Sequence, residues 1–161
     1  MSDNVDMPAI LAAVALLQGG ERVAGRVELF RIWQLSDAST PPVQRCSLAH
    51  FLADTETDPV DELEWDLLAL EAATGARTAI DIDALDAELA SFLPSLHLNA
   101  GDAYRRVGDM ARARLHAAIG LKRAAALPDD PYSNTVRTGL ARLAARSAEE
   151  PTAPGTQRPS T

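Results

Sequence analysis

One cysteine, Cys46, stands among the 161 residues. That excludes an internal disulfide and a CxxC metal knuckle, and it points to a reducing compartment, the cytoplasm. Aromatic residues make up only 4% of the chain. With alanine abundant instead, thin and close helix interfaces are expected in place of a thick core. Lys122 is the sole lysine beside many arginines, a bias that fits a GC-rich genome better than a function. No stretch reaches the roughly 20 apolar residues of a membrane span. The apolar run 8–17 is preceded only by acids among its charged residues, which argues against a secretory leader and against membrane association. Basic charge is short as well. A net charge of −8 excludes a nucleic-acid binder of the usual basic kind. Convincing strands are missing, and with them any Gly-rich loop after a strand, so neither a nucleotide nor another cofactor is expected.

What is present is helix. Residues 94–128 read as two apolar helices around a Gly108-Asp109 turn. The first carries Leu96, Ala100, Ala103, Tyr104 and Val107, and the second Met110, Ala113, Ala117, Gly120, Leu121 and Ala124, each at helical spacing. Gly108 supplies the positive φ that ends the first helix, and Asp109 caps the second. Pro94 suits a helix opening, where its missing N–H has no partner anyway. A glycine inside a helix costs roughly 1 kcal/mol against alanine. Gly101 and Gly120 therefore mark, with Ala113, places where helices touch.

The rest of the chain is expected to be helical too. A disordered start (1–7) leads to a helix over 8–18 that ends at Gly19-Gly20. A second follows over 21–35 with Val23, Val27, Phe30 and Leu35 inward, then a polar loop over 38–42. A third helix spans 43–53 around Leu48, Phe51 and Leu52, and a fourth spans 59–74 on Leu63, Leu67 and Leu70, ending at Gly75. A short fifth is expected over 80–92. A last helix over 131–146 carries Val136, Leu140 and Leu143 on one face, and a Pro/Thr/Ser-rich disordered tail fills 148–161. One folded domain over 8–147 results.

The segment Asn99-Ala100-Gly101-Asp102-Ala103-Tyr104, followed by Gly108-Asp109 and the small residue Ala113, resembles the tetratricopeptide repeat, a 34-residue helical hairpin. His97 departs from it, standing where the family usually has a large aromatic. Two weaker copies precede it. Gln18-Gly19-Gly20-Glu21 occupies the turn of one. In the other, Leu48-Ala49 and Leu63-Glu64-Trp65 stand on either side of a turn lengthened over 55–59. The resemblance implies an all-α, TPR-like right-handed solenoid of about seven helices, stacked antiparallel hairpins closed by a C-terminal capping helix. It also implies a partner groove lined by the first helix of each hairpin, here Leu98, Asp102, Arg105 and Arg106 in the clear copy and Cys46 and His50 in the preceding one. The Lys/Asn set with which some chaperone-binding members clamp a carboxylate is not matched.

Charge is distributed unevenly. Residues 55–90 hold eleven acids against Arg77 alone, and residues 103–146 hold nine bases against three acids. Attraction between the two halves of one molecule explains this as well as a steering field or weak self-association does. Candidate chemistry is sparse. Cys46 and His50 lie one helical turn apart, the minimum for a thiol nucleophile. His97 and His116 can approach across the hairpin but lack a third metal ligand. Asp58, Asp61, Glu62, Glu64 and Asp66 lack the spacing of a calcium loop and read as a solvated acidic helix face. The expectation is a non-catalytic, cytoplasmic scaffold that binds a protein or peptide, without metal, cofactor, nucleic acid or membrane. The alternatives are a small cysteine enzyme using Cys46 and His50, or an acidic regulator of a basic protein.

Overall fold

The computed structural model describes residues 5–76 and 83–148. These form eight helices and no strand: α1 (Met7–Gln18), α2 (Arg22–Leu35), α3 (Pro42–Ala53), α4 (Pro59–Thr74), the single turn α5 (Ala87–Ala90), α6 (Leu93–Arg106), α7 (Met110–Ala124) and α8 (Pro131–Ala148). Acidic caps open most of them. Asp6 accepts a hydrogen bond from the Ala9 amide at 2.9 Å, Asp58 from Val60 at 2.8 Å, Asp109 from Arg112 at 2.9 Å and Asp130 from Ser133 at 2.8 Å. Each satisfies an amide that the helix leaves without a partner. Gly108 has the expected positive φ, +91°, at the α6–α7 turn, and Gly75, the expected end of α4, stops it with φ +79°. Folded structure includes Asp6 and Met7 at one end and Ala148 at the other. The remainder of the expected terminal segments, 1–4 and 149–161, lies outside the described residues.

Neighbouring helices pack as hairpins: α1 on α2, α3 on α4, α6 on α7. The second helix of each then lies on the next unit, α2 on α3, α4 on α6 and α7 on α8. First helices also meet, α1 with α3 and α6 with α8. One core cluster joins Leu29, Ile32, Leu48 and Leu52 to Ile10 and Val14. A second joins Cys46 and Ala49 of α3, Ala69 and Leu70 of α4, and Leu93, Leu96 and Ala100 of α6. The tryptophans bridge both clusters, Trp33 and Trp65 meeting edge to face at 5.2 Å.

In the C-terminal hairpin the small residues do what their spacing predicts. A Cβ placed on Gly120 would lie 2.4 Å from Leu140 Cδ2 and 3.3 Å from His97 Cβ. One on Gly101 would lie 2.6 Å from Leu143 Cδ2 and 3.1 Å from His116 Cβ. Leu140 and Leu143 of α8, both fully buried, thus fill notches that only glycine leaves. Ala113 is buried in the same interface, while Tyr104 packs at its margin.

Three expectations are corrected. Helix α2 turns its other face inward. Val23 and Val27 are 78% and 61% exposed, Phe30 and Leu35 are exposed as well, and Gly25, Leu29 and Ile32 are buried instead. Two apolar stripes compete on this helix, and the one bearing Gly25 lets α2 approach Leu17 and the Ala13 carbonyl of α1 closely. The fifth helix shrinks to Ala87–Ala90: the extended Asp86 caps its start by accepting from the Leu89 amide, and Pro94, without an N–H for the Ala90 carbonyl, separates it from α6; residues 77–82 lie outside the described residues. Finally, α4 buries Asp66, Ala69, Leu70 and Ala73, with Leu63 and Leu67 only half-buried. Asp66 is therefore an interior residue and not part of a solvated acidic face.

Candidate binding groove

Helices α3, α6 and α8 wall one cavity. From α3 come Val43, Cys46, Ser47, His50 and Phe51, and from α6 Ser95, Leu96, Leu98 and Asn99. The start of α8 adds Tyr132 and Val136, and Leu89 and Phe92 of the α5 turn close one side. Its volume is about 400 Å³, at the lower end of the range of small-ligand and side-chain pockets. Helix α8 is seated against α6 by another notch, since a Cβ on Gly139 would lie 2.6 Å from Leu98 Cδ2. That seating holds Tyr132 and Val136 opposite α3.

The lining is mainly apolar and carries no Asp, Glu, Lys or Arg. Its polar end is a pair. The Asn99 side-chain nitrogen lies 3.3 Å from His50 Nδ1. Nε2 of the same ring faces the Asp54 carboxylate at 4.0 Å. Both ring nitrogens of His50 are thus turned to partners other than Cys46. Burial pushes the Cys46 thiol up to about 12, so at neutral pH it is the thiol and not the nucleophilic thiolate. Such a thiol behaves as a small apolar wall residue.

Leu98, Cys46 and His50 line this cavity together, whereas Asp102, Arg105 and Arg106 are not among its lining residues. They form an ion cluster further along α6. Asp102 accepts from Arg105 Nε at 3.0 Å and from Arg146 of α8 at 3.2 Å, and pairs with Arg106 Nε at 3.2 Å. Arg106 also bonds Glu62 of α4, and its hydrogen bond to Glu62 raises its own pKa further. This cluster ties α4, α6 and α8 together. Arg106–Glu62, with Arg123–Asp83 at 3.6 Å, joins the basic C-terminal half to the acidic middle of the same chain.

His97 and His116 do meet across the hairpin, their Nδ1 atoms 3.1 Å apart. At that distance one nitrogen donates and the other accepts, so the two rings cannot both be protonated. Burial, helped by Arg112, lowers His116 to about 4. Among the described residues no group of three or more His, Cys, Asp or Glu is arranged to hold a metal ion, and no helix is long and apolar enough to cross a membrane.

Most of the cavity wall lies outside the residues expected to line a groove. Tyr132 and Val136 belong to the expected capping helix, and their spacing of four places both on one face of α8. Asn99 belongs to the hairpin signature. Asp66 carried a usable signal, since it lies three, four and seven residues before Ala69, Leu70 and Ala73, the period of a buried stripe.

Among known proteins, no family model matches the chain, and no curated protein or solved structure matches it significantly.

Proposed function

We propose that this chain is a non-catalytic protein-interaction module of the tetratricopeptide-like kind, in which α1–α2, α3–α4 and α6–α7 act as successive repeats and α8 closes the stack. The observation that carries the proposal is the cavity of about 400 Å³ between α3 and α6, the first helices of adjacent units, and the closing helix α8. Its uncharged, apolar wall favours an apolar side chain of a partner segment, and the Asn99–His50 pair offers the polar contact beside it. Phe92 and Tyr132, 41% and 54% exposed, form a rim that such a segment would cover. A single pocket of this size supports micromolar affinity, about −8 kcal/mol. The enzymatic alternative is disfavoured by the protonated, buried Cys46 thiol. The acidic-regulator alternative is weakened because part of the acidic segment already pairs with arginines of its own chain.

The test is affinity capture from an extract of the native host with the wild-type chain and with Phe92→Asp/Tyr132→Asp. The expected result is loss of the retained protein at unchanged melting midpoint. Equal retention by both removes the groove as the binding surface. Arg105→Glu/Arg106→Glu serves as the contrasting variant, expected to lower stability before it alters retention.

A further inference from the structure

Asp66 lies on the buried face of α4, where that helix packs on both α3 and α6. It is 2% exposed, and its Oδ2 is sealed from solvent without a hydrogen-bond partner. The groups that bear on it are mostly acids: Glu62 from one turn earlier on α4, Asp54 from the end of α3, and Asp102 from α6. Arg106 of α6 opposes them, but it is shared with Glu62 and Asp102. Beyond this shell, His50 of α3 and Arg22 of α2 bear on Asp54, and Arg146 of α8 bonds Asp102. A carboxylate charge in such a place is costly, because a sealed oxygen without a donor cannot recover the hydration it loses. The neutral acid fits.

We propose that Asp66 is a proton-operated latch of the α3–α4–α6 junction: its neutral form lets the three helices close, and its ionisation loosens them. The effect reaches the groove, because Cys46 of α3 and Leu96 of α6 belong to the same core cluster as Ala69 and Leu70 of α4 and also wall the cavity. Burial first, then Glu62 and Asp54, lift the Asp66 carboxyl from 3.8 to about 8. Between those two values the native chain holds a proton that the unfolded chain has released. The stabilising share of the neutral acid is then complete below 3.8, falls as pH rises through the window, and stays lost above about 8. This holds whether or not a partner occupies the groove.

The experiment is carboxyl carbon-13 NMR of the full chain labelled at aspartate, titrated through neutral pH, on the wild type and on Asp66→Asn. The expected wild-type result is one aspartate carboxyl with its midpoint near 8, absent from the variant, whose stability should fall less toward alkaline pH. Asp54, whose carboxyl is also raised by burial, is told apart because its resonance survives the substitution. Amide exchange, corrected for intrinsic rate, should accelerate in α4 and α6 above the midpoint in the wild type alone. The proposal is overturned if every aspartate carboxyl titrates in the ordinary acid range. It is also overturned if wild type and variant share one pH dependence of stability and exchange. Should Asp66→Asn fail to fold, the wild-type titration and exchange decide alone.

Discussion

The two ends of this stack are held together by opposite means. Between α1–α2 and α3–α4 the contact is made of large rings: Trp33 against Trp65 at 5.2 Å, Phe30 against Trp65 at 6.3 Å, and the Arg45 guanidinium 4.9 Å over Trp33. Between α6, α7 and α8 it is made of omissions, alanines and glycines into which Leu140 and Leu143 fit. Rings bury much area, roughly 150–250 Å² each, and tolerate small rotations of the helices that carry them. A glycine notch contributes less area but fixes register to one residue, since any Cβ in its place would collide. The first junction is strong and loosely specified. The second is sharply specified and thin.

A third contact, the α3–α4–α6 junction with Asp66, is the one proposed to weaken toward alkaline pH, whereas His116 in the α6–α7 interface is kept neutral by burial, which lowers its pKa to about 4.

The largest expected effect tests the ring junction. Trp65→Ala should cost about 3–5 kcal/mol, read from urea unfolding followed by circular dichroism. A loss under 1 kcal/mol would mean that the rings are ornament to the Leu29–Leu48–Leu52 core. Acid comes next. His116 has its pKa lowered from 6.5 to about 4, so its neutral form adds stability that is complete above 6.5 and drains away as pH falls through the folded value. The loss should be on the order of 3 kcal/mol, and His116→Gln should remove that part of the acid dependence. Gly120→Leu should cost about 1–3 kcal/mol by overpacking, with Leu140→Ala relieving part of it in the double variant. An unchanged melting midpoint in Gly120→Leu would show that the notch is not a contact. The smallest effect concerns the stripe that turned outward. Val23→Lys and Val27→Lys should each stay within about 0.5 kcal/mol, and a larger loss would place that face back against the core.

How well the chain could be read from its residues follows the same division. Gly101, Gly108, Asp109 and Gly120 each have one physical use, a turn, a cap or a close approach, and each is found in that use. The buried face of α8 is likewise the expected Val136–Leu140–Leu143 stripe. Helix α2 misled because Val23-Val27-Phe30 and Gly25-Leu29-Ile32 are both apolar at helical spacing, and only the tertiary approach to Leu17 chooses between them. Cys46 and His50 of α3 and Leu98 of α6 follow from the tetratricopeptide resemblance, which points to the first helix of each hairpin. Asp102, Arg105 and Arg106 share α6 with Leu98, and only the tertiary pairing of Glu62 with Arg106 and of Arg146 with Asp102 sets them apart from it. Asp66 was misassigned because charge was weighed above position, although its neighbours in the helix are alanine and leucine.

Both tryptophans of this chain, Trp33 and Trp65, sit in the first junction, and both tyrosines, Tyr104 and Tyr132, lie on the helices beyond it. Light that excites indole alone therefore sees one joint of the molecule. Both indoles pack on a cluster that includes α6, so melting confined to α7 and α8 would leave tryptophan emission unmoved while helical ellipticity fell. Two curves from one sample, emission and circular dichroism, thus show directly whether the stack comes apart as a whole or from its glycine-built end.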